Sequence, residues 1–116
     1  MIVRLADQPD VTEDLNPLVM RQLLDAERHG PDLSMTWVQL WGRHVRLRTD
    51  ASARTYVIVA GTASFQLGDE PADDVVAGDV VLIPRGVPYE FSGYCTYLVM
   101  NTPAFRAGDD IVLDTS

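Results

Sequence analysis

The side chains with most capacity for chemistry crowd into one twelve-residue stretch, where Arg43, His44, Arg46, Arg48 and Arg54 stand close together. A guanidinium clamps carboxylate, phosphate or enolate oxygens through two parallel hydrogen bonds, and an imidazole changes charge near neutral pH. All the basic residues are arginine, yet the formal net charge is -8, so the cluster reads as an anion-binding wall within an acidic chain. That acidity disfavours nucleic acid and anionic membrane surfaces as partners. Transition metals want several imidazoles, carboxylates or thiolates together, and the chain holds only His29, His44 and one cysteine. No metal and no other cofactor is therefore expected. Cys95, flanked by apolar residues, reads as a packed thiol in a strand, and His29, followed by Gly30 and Pro31, as the C-terminal cap of a helix.

These groups need a frame, and 116 residues suffice for one domain with a real core. The apolar fraction of 47% and the charged fraction of 22% suit an ordinary globular protein. No apolar run approaches the roughly 20 residues that cross a bilayer, and the first residues lack a secretory pattern, so a cytoplasmic location is expected. Asn16 and Pro17 read as an N-cap and first helical residue, with Leu18, Val19, Gln22, Leu23 and Ala26 at helical spacing, which predicts one short amphipathic helix within residues 1–31. Beyond Leu33 the period becomes two. Residues 35–41, 43–48, 54–59, 63–67, 74–76, 79–83, 89–91 and 94–101 read as short strands, broken at Gly42, turned at Ala60, Gly61 and Thr62, and punctuated elsewhere by Gly, Pro and Asp. About eight strands at this spacing predict an antiparallel sandwich or barrel.

One segment is more specific. Gly78, Pro84, Gly86 and Tyr89 follow the spacing of the second motif of the cupins, with Tyr89 where that family places a metal-binding histidine. Counting back from Gly61, Arg54 stands where the first motif has its glutamate, and the histidine positions before it carry Arg48 and Asp50 or Leu47 and Thr49. The chain thus resembles a small single-domain cupin without the usual metal-binding histidines. The resemblance implies an all-β, small jelly-roll barrel over residues 33–103, preceded by an arm with one short N-terminal helix over 1–31 and closed by 104–116. It also implies a homodimer paired through a barrel face.

If those positions still point inward, Arg54, Tyr89 and Tyr56 form the catalytic group: an arginine clamp, and a tyrosine whose proton is loosened by the neighbouring positive charge. The corresponding function is metal-independent proton-transfer chemistry of isomerase, cyclase, dehydratase or lyase type on a small carbonyl- or carboxylate-bearing metabolite. His44, Arg46, Arg48, Trp37, Trp41 and Phe91 are the expected substrate-binding residues. Alternatives stay open at several points. Arg54 and Tyr89 could instead form a polar plug in the core. If Val45 and Leu47 face inward, His44, Arg46 and Arg48 face solvent or a partner, and Trp37 and Trp41 suit core or a dimer face as well as a pocket wall. The whole could be a non-catalytic binding or sensing module, or an oxygenase or isomerase whose metal ligands, His44 and Asp50 among them, are displaced. Asp109 and Asp110 read as a turn with solvated charge.

Overall fold

Alternation of apolar and polar residues dictates strands, and antiparallel pairing of those strands satisfies their backbone groups. The structure, a computed structural model, describes residues 1–114. In chain order it holds a 3-10 turn at Leu5–Asp7, β1 (Val11–Thr12), β2 (Leu18–Leu24), α1 (Ala26–His29), β3 (Ser34–Thr49), β4 (Ala53–Leu67), β5 (Asp73–Val76), β6 (Val80–Ile83), β7 (Tyr89–Thr102) and β8 (Asp110–Val112). All pairings are antiparallel. The path runs β1-β2-β3-β7-β4-β5, with β6 beside β4 and β8 beside β3. Long β3, β4 and β7 form the centre, and their inward rows supply most of the core: Val38, Leu40 and Leu47; Tyr56, Ile58 and Phe65; Tyr89, Phe91 and Tyr97. None of the described helices is long and apolar enough to cross a membrane.

Three sequence expectations change. The helix anticipated across residues 16–29 is mostly strand. Leu18, Met20, Gln22 and Leu24 lie on one face at period two, and pairing of Leu18↔Leu40 and Met20↔Val38 gives that face a core that an isolated helix would lack. Over seven residues the same apolar positions fit both periods, and tertiary pairing decides. Helix remains only as the single turn α1, capped by the Asp25 carboxylate, which accepts from the Arg28 backbone N–H at 2.9 Å. Asn16 caps no helix; its Oδ1 accepts from the Val45 backbone N–H at 2.8 Å.

The turn expected at Ala60, Gly61 and Thr62 is likewise absent, because β4 runs through it with a bulge between Ile58 and Ala60. Gly61 adopts φ +80°, and a Cβ there would lie 2.1 Å from the Tyr94 carbonyl oxygen, so the glycine serves close approach of two strands rather than reversal. Gly42 and Gly93 similarly sit inside β3 and β7 instead of ending them.

Candidate active site

A cavity of about 200 Å³ opens between the central strands and the N-terminal segment, far above the roughly 30 Å³ share of one water molecule. Its polar wall includes His44 from β3, Arg54 and Tyr56 from β4, Asn101 from β7 and Asp110 from β8. Leu18, Met20 and Leu24 of β2 and Val38, Val99 and Phe105 supply apolar wall.

Arg54 organises the polar side. Its Nε donates to Asn101 Oδ1 at 2.9 Å, Nη1 to Tyr89 Oη at 2.9 Å, and Nη2 to Asp110 Oδ1 at 2.6 Å. Burying a guanidinium is costly unless it is paired and hydrogen-bonded, and here three of its nitrogens are engaged. Burial works against its charge, but Tyr89, Tyr56 and Asp110 outweigh that penalty and hold its pKa above the ordinary value. Tyr89 Oη in turn meets Tyr56 Oη at 2.5 Å. Burial, the dominant influence, raises the pKa of both phenols in spite of Arg54. The loosened tyrosine proton expected beside an arginine is therefore corrected: desolvation exceeds the attraction, and both tyrosines are neutral phenols at neutral pH.

His44 places a titratable imidazole on the same cavity wall. Its Nδ1 lies 2.9 Å from the Val45 carbonyl, which only accepts, so Nδ1 carries the hydrogen and Nε2 the lone pair. The ring stacks on Phe91 at 4.6 Å and 14°. Burial pushes its pKa down, favouring the neutral imidazole.

The cluster of candidate residues divides along strand parity. His44, Arg54 and Tyr56 border the cavity, whereas Tyr89, wholly buried, lies behind Arg54 and Tyr56, and Phe91 is core. Arg46 and Arg48 are on the outer face: Arg46 is bound to Gln66 Oε1 and the Gly68 carbonyl, and Arg48 to Asp50. The reason is a bulge between His44 and Leu47, which lets both His44 and Leu47 point inward while turning the arginines out. Uniform alternation would have kept the three cations together. Trp37 and Trp41 also lie outside, since Val38 and Leu40 take the interior; Trp41 is half exposed and Trp37 carries the Arg21 guanidinium 5.8 Å from its ring centroid.

Two members of the site escaped the sequence reading. Asn101 stands on the odd-numbered row of β7 with Tyr89 and Tyr97, and parity alone pointed to it. Asp110, read as a solvated turn residue, is instead the counter-ion of Arg54; nothing local signalled this, because it depends on β8 returning to pair with β3.

The cupin metal does not suit these residues. Tyr89 and Arg54 stand at its ligand positions, and a buried guanidinium would repel a dication. Among the described residues no group of three His, Cys, Asp or Glu side chains converges.

No protein-family model matches the chain, and no curated protein matches it. Solved structures do. Pac13 from Streptomyces, described as a unique nucleoside dehydratase, superposes with a TM-score of 0.83 over 97% of this chain and 90% of its own, at 17% identity. Oxalate decarboxylase from Bacillus subtilis gives 0.81 over 94% of this chain and 31% of its own, also at 17% identity. The fold is the cupin jelly roll. Within that barrel, the chain departs from a metal-bearing cupin at the positions Arg54 and Tyr89 occupy. Pac13 structures with uridine also include variants in which a tyrosine is replaced by phenylalanine or a histidine by glutamine.

Proposed function

We propose that this protein is a metal-independent enzyme of the dehydratase type, eliminating water from a small carbonyl-bearing metabolite held in the barrel cavity. The observation that carries the reading is the pairing, around one cavity, of a neutral His44 imidazole, whose Nε2 has no hydrogen-bond partner among the described residues, and a buried cation, Arg54, backed by two protonated phenols. Such a site has a base for a carbon acid and a preorganised positive side for the oxyanion that results.

In the proposed reaction His44 Nε2 takes a proton from the carbon next to the carbonyl. The C–H electron pair moves into a C=C bond, and the carbonyl oxygen becomes an enolate oxygen stabilised by Arg54 and Tyr56. The enolate then re-forms its carbonyl as the bond to a β-hydroxyl breaks, and the leaving oxygen receives the proton from His44, departing as water. His44 returns to its neutral form, and neither oxidant nor reductant is consumed. Isomerisation would use the same first step with return of the proton to a different carbon. The likeness to Pac13, a nucleoside dehydratase studied with uridine and through tyrosine and histidine variants, supports the choice of elimination, because the same residue types border this cavity.

The test is a panel of β-hydroxy aldehydes and ketones, free and nucleoside-linked, followed by the absorbance of the conjugated product. Turnover that falls roughly 10²–10⁴-fold in His44→Gln supports the reading. Binding of panel members without turnover in the wild type would make the cavity a non-catalytic site and sink it.

A further inference from the structure

Arg54 does more than neutralise charge, because a guanidinium has hydrogens to give and no lone pair to offer. Its direction of donation propagates. Nη1 donates to Tyr89 Oη, and among the described residues the only other partner of that hydroxyl is Tyr56 Oη. Tyr89 is 0% exposed, so its single hydrogen has no water to turn to. If Tyr56 donated to Tyr89, the Tyr89 hydrogen would be sealed without an acceptor. The satisfiable arrangement has Tyr89 donating to Tyr56. The Tyr56 hydrogen then has no protein acceptor among the described residues, and Tyr56, unlike Tyr89, borders the cavity.

The same logic governs Asn101. Arg54 Nε fixes Oδ1 as the acceptor, so the amide nitrogen is the other end, and Nδ2 is buried with no partner among the described residues. The reversed amide would set two donors against one another. Asn101 also borders the cavity. Two chains that begin at one cation therefore both end in donors.

We infer that Arg54 polarises this wall of the cavity so that Tyr56 and Asn101 present hydrogen-bond donors only, and that the ligand atom seated there is a carbonyl, carboxylate or enolate oxygen rather than an ammonium group. Tyr89 is a positioning residue that acts through Tyr56. The inference deepens the proposed function and rests on it for the presence of a ligand, while the direction of the chain is a property of the protein alone. An ammonium group at this point would leave three sets of donors facing one another with no acceptor, which is how a polar site rejects a close analogue.

The experiment uses protein carrying 13C at tyrosine Cζ in an equal mixture of H2O and D2O, with signals assigned by through-bond correlation. A hydroxyl that exchanges slowly gives two isotope-shifted lines, and one that exchanges rapidly gives a single averaged line. Tyr89 is expected to be split and Tyr56 averaged by water in the empty cavity; the reverse pattern overturns the inference without any variant. Acetophenone labelled at its carbonyl carbon and benzylamine, an ammonium ion at neutral pH, then probe the wall. Acetophenone is expected to bind at least tenfold more tightly than benzylamine, with a downfield carbonyl shift that survives His44→Gln, disappears in Tyr56→Phe and shrinks in Tyr89→Phe. Benzylamine binding as well as or better than acetophenone, or absence of acetophenone binding at millimolar concentration, overturns the assigned ligand class. A correct pattern in a protein that turns nothing over retains the donor wall and removes only the catalytic reading.

Discussion

Arg54 on β4 and Asp110 on β8 meet at 2.6 Å, a contact that ties the C-terminal segment to the inner wall of the barrel. The arginine is 6% exposed and the aspartate 31% exposed, so the pair straddles the boundary between core and cavity mouth. Loss of one partner from a fully buried pair costs roughly 3–5 kcal/mol, and partial exposure of Asp110 reduces that figure. Asp110→Ala is expected to destabilise the fold by about 2 kcal/mol, lowering the melting temperature by roughly 8 °C for a domain of this size. An unchanged thermal scan would show that Arg54 finds other compensation.

His44 gives a pH dependence whose sign is set by burial. Its folded pKa lies below the ordinary value of 6.5, so between the two values the unfolded chain binds more protons than the folded one. Stability from this group is therefore fully present above pH 6.5 and is lost as pH falls through the folded value. In the proposed reaction the neutral imidazole is the base, so activity should follow the same direction, flat through neutrality and falling on the acid side. In His44→Gln the acid limb of the stability curve attributable to this group should vanish, measured by denaturant titration from pH 4 to 8.

Much of the site was legible because the second-motif spacing places Tyr89 and the first-motif spacing places Arg54, with Tyr56 two residues on along the same strand face. Asn101 shares the row of Tyr89 and Tyr97 at period two, but no motif marks it. The exceptions share a cause, which is that a single inserted residue or a distant pairing leaves no local trace. One bulge between His44 and Leu47 separates His44 from Arg46 and Arg48, and one strand return brings Asp110 to Arg54. The misread helix at residues 16–29 belongs with these, since only the partner strand β3 distinguishes period two from 3.6 over so short a run.

That division yields a control. Arg48 pairs with Asp50 on the surface, the two side chains being 37% and 57% exposed, an arrangement worth roughly 0–1 kcal/mol. Arg48→Ala is expected to leave acetophenone binding and turnover within twofold of wild type, with little change in melting temperature. A tenfold loss of binding in calorimetry would mean that the arginine reaches the ligand and that the parity switch at the bulge is misplaced.

Gly61 tests the crossing of β4 and β7 that holds the cavity wall in register. An added Cβ would lie 2.1 Å from the Tyr94 carbonyl oxygen and 2.9 Å from the Cys95 Cα, both backbone atoms that no side-chain rotation can move away. The residue also sits at φ +80°, where an L side chain is strained. Overpacking alone costs roughly 1–3 kcal/mol, and the backbone strain adds to it. Gly61→Ala should therefore lose at least about 2 kcal/mol in urea unfolding, or fail to fold. Gly68→Ala provides the comparison: its φ is +56° but nothing lies within 4 Å of the added Cβ, so only the conformational part remains, about 1 kcal/mol. Equal losses at the two positions would mean that the β4 bulge relaxes freely, and that the register linking Arg54, Tyr56 and Asn101 is softer than their hydrogen bonds imply.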